Sequence, residues 1–285
     1  MLLTFRQILT CMTKMEFLQI LISFIIFRYK KKGLEGYMNR LSLVLISSIA
    51  LMFAACGDDG GSATRPSEES SSSVALSSSV TEPAEVTKGS ITDTRDGQTY
   101  KTVTIGTQTW MAKNLNYKTD NSYCYNDNAS NCTKYGRLYT WAAAMDSVGS
   151  WAANGKGCGY GKTCSPTYPV RGVCPTGWHL PTQTEWNTLF AAVGGSGTAG
   201  TKLKSTSGWN SSGNGTDDYS FSALPAGIRV GLGGCIDEGN YAYFWSSSGF
   251  NNYGAYYMRL YYDFDKAYLE DDNKDFGFSV RCVKD

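Results

Sequence analysis

The run Cys174-Pro175-Thr176-Gly177-Trp178-His179-Leu180-Pro181-Thr182-Gln183-Thr184-Glu185-Trp186 sets the tightest local limits on this chain, because it joins a cysteine, an aromatic turn and a helix start. Pro181 keeps Leu180 extended. Thr182 with Glu185 three residues on forms a capping-box pattern: the threonine oxygen accepts the amide of the third helical residue, and the glutamate reaches back to the cap's own N–H. The spacing predicts a helix from Gln183, with Trp186, Leu189, Phe190 and Val193 at i, i+3, i+4 and i+7 as one apolar stripe. Gly194 is placed to end it in a left-handed conformation.

Such a stripe needs a surface to cover. From Ile91 onward Gly, Tyr, Trp, Ser, Thr and Asn dominate and long aliphatic runs are few, which points to a loop-rich, partly β domain with an aromatic core. Asp96-Gly97 signals a turn, followed by a β-branched strand at residues 100–105 and a second extended segment at 108–115. A threonine-capped, Ala-rich helix is predicted at 140–145 and a further turn or two of helix at 198–205. Later strands are predicted at 220–224, 226–230, 241–246, 255–262, 267–270 and 278–283. In the stretch 255–262 the two-residue period places Tyr256, Met258, Leu260 and Tyr262 on the core face and turns Tyr257, Arg259 and Tyr261 outward.

The N-terminal part differs in kind. Met38-Asn39-Arg40, an apolar run over 41–53 and Ala54-Ala55-Cys56 have the basic, apolar and small-residue order of a bacterial lipoprotein signal peptide, although Phe53 stands where leucine is usual. In that family the cysteine is diacylated and becomes the mature N-terminus, which assigns lipid attachment to Cys56. As a membrane span, the 15 residues from Leu41 to Ala55 fall short of the roughly 20 a bilayer requires. Residues 38–55 are therefore read as the signal peptide. Met38 is read as the initiator and 1–37 as an untranslated upstream extension. Residues 56–89, rich in serine and free of aromatics, read as a flexible tether that cannot bury a core. The first 55 residues hold seven basic and two acidic side chains, leaving 19 basic and 23 acidic beyond them. That net charge of −4 argues against a nucleic-acid partner.

Six blocks resemble the Fibrobacter succinogenes major paralogous domain. The opening runs from Asp93-Thr94-Arg95-Asp96-Gly97-Gln98-Thr99-Tyr100 through Gln108-Thr109-Trp110-Met111-Ala112-Lys113-Asn114-Leu115. Tyr135-Gly136-Arg137-Leu138-Tyr139-Thr140-Trp141 follows, then Cys174-Pro175 with Gly177-Trp178-His179-Leu180-Pro181. Phe221-Ser222-Ala223-Leu224-Pro225-Ala226-Gly227 and Phe244-Trp245-Ser246-Ser247 come next, and Gly277-Phe278-Ser279-Val280-Arg281-Cys282 closes the set. The helix entry also resembles formylglycine-generating proteins. That likeness implies an α+β, C-type-lectin-like fold over 90–285: a mixed, mostly antiparallel sheet with two short helices and long disulfide-stapled loops. The active-site cysteine pair of those enzymes does not map onto this chain.

Export makes disulfides the default use of cysteine. Spacing favours Cys124 with Cys132 and Cys158 with Cys164, while Cys174 with Cys282 would tie the helix entry to the last strand and leave Cys235 over. With no Cys-x-x-Cys and a single histidine, zinc is disfavoured. His179 reads as a packed turn residue donating to a backbone carbonyl rather than as a catalytic base, and Cys235 as a spare thiol. Gly195-Ser196-Gly197-Thr198-Ala199-Gly200 matches a dinucleotide fingerprint but follows a helix instead of a strand. Asp271, Asn273 and Asp275 begin like a calcium loop, yet Phe276 replaces the required glycine and Cys282 the glutamate. A looser calcium site among Asp217, Asp218, Asp263 and Asp265 stays open.

No cofactor and no catalytic or metal site is assigned. The 19 tyrosines and 7 tryptophans point instead to binding, since sugar rings stack on aromatics, and Tyr257, Arg259 and Tyr261 are the candidate platform. The expectation is a non-catalytic envelope lipoprotein, held at the outer membrane by its lipid and binding carbohydrate or another extracellular ligand. A structural role with envelope proteins as partners and a periplasmic enzyme of the formylglycine-generating type are the rival readings. Cys56→Ser is expected to abolish lipid labelling and release the chain from membranes; persistence of the labelled fraction would overturn the assignment.

Overall fold

The computed structural model describes residues 86–285. The upstream extension, the signal peptide, Cys56 and the tether up to residue 85 lie outside the described residues. Strand β1 (Val86–Thr92) forms a hairpin with β2 (Thr99–Ile105), in register from Val86 opposite Ile105 to Thr92 opposite Thr99. Residues 86–89, expected in the tether, thus belong to the domain. The polar sequence of β1 hid it, because an edge strand buries little and needs few apolar residues. Asp93 sets the turn, accepting from the Arg95 guanidinium at 2.7 Å through its carboxylate and from Gly97 N–H at 2.8 Å through its carbonyl. Gly106-Thr107 then lead into β3 (Gln108–Met111).

Next come β4 (Ser122–Tyr123), α1 (Ala129–Tyr135), β5 (Leu138–Tyr139) and α2 (Trp141–Ala144). After a long connection follow β6 (Trp178–His179), α3 (Gln183–Ala192) and α4 (Ser196–Leu203). The C-terminal part holds β7 (Ile228–Arg229), β8 (Cys235–Ile236), β9 (Tyr241–Gly249), β10 (Gly254–Tyr261), β11 (Ala267–Asn273) and β12 (Val283–Lys284). A five-stranded antiparallel sheet runs β1-β2-β3-β12-β6, and a three-stranded one runs β11-β10-β9. The fold is α+β and mostly antiparallel.

The capping signals act as the sequence predicts. Thr182 Oγ1 accepts Glu185 N–H at 3.2 Å and Glu185 Oε2 accepts Thr182 N–H at 2.7 Å, so α3 starts at Gln183 with both halves of its capping box. Gly194 follows at φ +95°. Thr140 caps α2 through Ala143 N–H. Four α-helices are present among the described residues instead of two. The unforeseen α1 is capped by Asn128, which accepts Ser130 N–H, and it is short enough to carry no apolar period. The strand expected at 220–224 is a turn with a single bridge at Ala223. There Ser220 and Ser222 adopt positive φ, and the Asp217 carboxylate holds Ser222 through its N–H and hydroxyl at 2.7 and 2.6 Å. The stretch 278–283 is extended, but only Val283 and Lys284 join a ladder.

Two aromatic cores lie on either face of β9 and β10. Ala242, Phe244, Met258 and Leu260 face α3, where Trp186, Leu189 and Phe190 are buried and the Trp186 ring lies 4.5 Å from Trp110. Burial of Leu189 and Phe190 contributes about 1.5–3 kcal/mol each. On the opposite face Tyr243, Trp245 and Tyr257 pack against Phe278, whose ring is 4.1 Å from Trp245. Strands covered on both faces explain why 241–246 reads as a continuous apolar run.

All three expected cross-links are present: Cys124–Cys132, Cys158–Cys164 and Cys174–Cys282. They close loops of very different length, with sequence separations of 8 and 108 for the first and last. In the chain-entropy account that corresponds to about 2.5 and about 4–5 kcal/mol respectively. Cys174→Ala is therefore expected to lower the melting temperature more than Cys124→Ala, and equal losses in calorimetry would overturn the ranking.

Candidate functional site

The three-stranded sheet β11-β10-β9 carries the aromatic platform, but not with the membership the sequence suggests. Pairing sets Tyr241 opposite Tyr261, Tyr243 and Tyr268 on either side of Arg259, and Trp245 and Glu270 on either side of Tyr257. All these side chains share one face, so the alternation that groups Tyr257, Arg259 and Tyr261 holds. The outward position of Tyr257 does not. It is only 5 % exposed, because Phe278 and Tyr243 close over it at 4.9 and 5.6 Å. Its burial comes from a segment distant in sequence, which a two-residue period cannot reveal. Tyr256 and Tyr262, expected inward, are only half-buried, and the β9–β10 register shifts between Ala255 and Tyr257.

Beyond Arg259 the cover ends. Tyr241 and Tyr261 stack at 4.4 Å and 27°, Phe264 meets Tyr261 edge-on at 5.0 Å, and Tyr268 lies 6.3 Å from Phe264. Arg259 sits among these rings, 5.6 Å from the centre of Tyr241 and 5.0 Å from that of Tyr268. Its Nη2 donates to Glu270 Oε1 at 2.8 Å, while the Tyr257 hydroxyl donates to Glu270 Oε2 at 3.0 Å. Burial, and then the Glu270 and Asp272 charges, push the Tyr257 phenol far up, so it stays a protonated donor. Burial also raises Tyr241. One carboxylate thus fixes both an interior tyrosine and the arginine that props the open platform. Tyr241, Phe264 and Tyr268 are the members the sequence reading missed. Extending the period-two reading to the neighbouring strands would have found Tyr241 and Tyr268, and Phe264 lies in the turn between β10 and β11.

A family model described as the Fibrobacter succinogenes major domain matches residues 103–284. The chain belongs to that family. No curated protein and no solved structure matches the chain.

Within the major domain, the remaining candidate residues resolve differently. His179 is buried and does not donate to a backbone carbonyl: its Nδ1 lies 2.7 Å from Asp285 Oδ1 and its Nε2 2.7 Å from Glu185 Oε1. Two carboxylate acceptors require both ring nitrogens to donate, which is the imidazolium form. Glu185 therefore caps α3 with one oxygen and holds His179 with the other. Glu185 was visible in the sequence as the capping residue, whereas Asp285 could come near His179 only through the β12–β6 pairing. Cys235 is a free, half-buried thiol whose Sγ accepts Asn126 N–H at 3.2 Å.

The Gly195–Gly200 run lies at and within α4, not after a strand. Asp217 is engaged by Ser222, Asp265 accepts from Thr201 at 2.6 Å, and among the described residues no group of three or more His, Cys, Asp or Glu is placed to hold a metal.

The His179 clamp makes stability pH-dependent. Burial alone favours the neutral ring, but hydrogen bonds and charge from Glu185 and Asp285 outweigh it and raise the pKa above the usual 6.5. For Glu185 burial is likewise outweighed, by hydrogen bonds from His179 and Thr182, and its pKa falls below 4.5. The histidine's contribution is complete below about pH 6.5 and lost as pH rises through the raised value; the glutamate's is complete above about 4.5 and lost in acid. His179→Gln is expected to destabilise the domain most at pH 5–6, with the gap to the native chain narrowing toward pH 9. A gap independent of pH in thermal melts would show that the ring is held neutral.

Proposed function

We propose that the chain is an outer-membrane-anchored envelope lipoprotein whose major domain, C-type-lectin-like in fold, is a non-catalytic module for binding carbohydrate. The observation that carries this reading is the half-exposed strip Tyr241, Tyr261, Phe264 and Tyr268 with Arg259 fixed among its rings. Sugars present apolar C–H faces to aromatic rings and hydroxyls to nearby donors, and a platform held in place before binding loses little entropy when a ring settles on it. Phe264 is 47 % exposed, which leaves a ring face at the edge of the strip open to a ligand. The lipid anchor rests on the Cys56 motif. The enzymatic alternative is disfavoured because six of the seven described cysteines are cross-linked, leaving Cys235 without a partner for a reactive pair.

Glycan-array binding of the full-length chain in detergent tests the reading, followed by affinity measurement for Tyr261→Ala and Phe264→Ala. Each truncation is expected to cost about 2 kcal/mol, roughly thirtyfold in affinity. Melting temperature should change little because both side chains are partly exposed. Tyr257→Ala, by contrast, is expected to unfold or strongly destabilise the domain. Retention of full glycan affinity by both platform variants would remove the strip from the binding role.

A further inference from the structure

A second surface, at the other end of the β9–β10 ladder, has the makings of a separate site. The β9–β10 connection and the loop stapled by Cys158–Cys164 face each other across a cleft of about 280 Å³. That is near the small end of ligand pockets, roughly 300–1,000 Å³, and suits one sugar ring. The two walls are tied together: Gly161 N–H donates to Asn252 O at 2.9 Å and Thr163 Oγ1 to Asn252 Oδ1 at 2.9 Å. Tyr160 and Tyr253 meet edge-on at 5.2 Å across the same two loops. Tyr168 and Phe250, which line the cleft, are 50 % and 52 % exposed.

The charge of this cleft is the decisive feature. Lys274 lines it and is almost wholly buried, with Nζ donating to Asn251 O at 2.6 Å and lying 4.4 Å from the Trp141 ring. Lys162 lines it too, and no acidic residue does. None of the ion pairs among the described residues includes either lysine. A buried ammonium held only by carbonyls and a ring is an uncompensated charge, and an anionic ligand would relieve it. The side-chain amide nitrogens of Asn251 and Asn252 make no hydrogen bond among the described residues, although both amide oxygens are engaged. They remain as donors.

We propose that this cleft binds a carboxylate-bearing sugar of an acidic polysaccharide. The ring would lie between Tyr168 and Phe250, and its carboxylate would face Lys162 with the positive charge of Lys274 beneath. This site is independent of the sheet-face platform.

Isothermal titration of the full-length chain in detergent with trigalacturonic acid, against the neutral cellotriose, tests it. Trigalacturonate is expected to bind at least about tenfold more tightly than cellotriose, and to weaken as salt rises. Lys162→Gln and Phe250→Ala, both at exposed positions, should each weaken it by about tenfold, while Tyr261→Ala on the platform should leave it unchanged. Equal binding of the two trisaccharides, no binding of trigalacturonate, or full affinity in both cleft variants would overturn the proposal. A loss caused by Tyr261→Ala alone would assign the acidic sugar to the platform instead. Lys274→Met is set aside as a test because it also frees the loop that Lys274 anchors.

Discussion

Arg281 is fully buried and meets no carboxylate within hydrogen-bonding distance among the described residues, yet four acceptors from two segments, 111–114 and 221–222, end on its guanidinium. Nε donates to Asn114 Oδ1 at 2.6 Å, Nη1 to Met111 O at 3.0 Å and Phe221 O at 2.6 Å, and Nη2 to Ser222 O at 2.9 Å. The rings of Phe221 and Phe244 flank it at 4.6 and 5.5 Å. Burial pushes its pKa down to about 9, with Asp217 opposing, so the group is still charged at neutral pH. A buried charge is tolerated only when its donors are matched, and each carbonyl here would be orphaned without it. The end of β3, the 217–224 turn and the face of β9 toward α3 are held in relation by one side chain.

That residue is part of the thread that makes the two sheets one body. Around it, Phe278 exchanges hydrogen bonds with Tyr139, Ser279 bridges Tyr243 and Trp245, Val280 O accepts Leu115 N–H, and Cys282 O accepts Met111 N–H. The Cys174 cross-link then fixes the far end of the same thread to the entry of β6 and α3. Laying an extended segment across β9 and β10 buries Tyr243, Trp245 and Tyr257. It leaves Tyr241, Tyr261 and Tyr268 beyond its reach. The open platform is therefore the part of one sheet face that the thread does not cover.

This also explains which features were legible in the sequence. Local chemistry read correctly: the Thr182 and Glu185 capping box, the Thr140 cap, the Gly194 stop and the cysteine pairs all depend on neighbours in sequence or on counting. Strand faces read correctly too, since Tyr257, Arg259 and Tyr261 do share a side. What failed was the step from face to exposure. Tyr257 is interior because Phe278, twenty-one residues later, returns over it, and His179 is charged because β12 brings Asp285 alongside. Edge strand β1 and helix α1 were missed for the opposite reason, being too polar or too short for a hydrophobic period to mark them.

The β9–β10 ladder gives the proposed platform and the proposed cleft a shared and rigid base. Tyr261 opposite Tyr241 marks one end and Ala255 opposite Gly249 the other. At about 3.4 Å per residue those ends are roughly 20 Å apart, farther than one sugar ring reaches. Between them lie Trp245, Tyr257 and Phe278, close-packed and wholly or nearly buried. A dense interior of that kind is hard to compress. The spacing of the two surfaces is thus set by packed rings, Trp245 and Phe278 among them, and by the same packing that makes Tyr257 an interior residue.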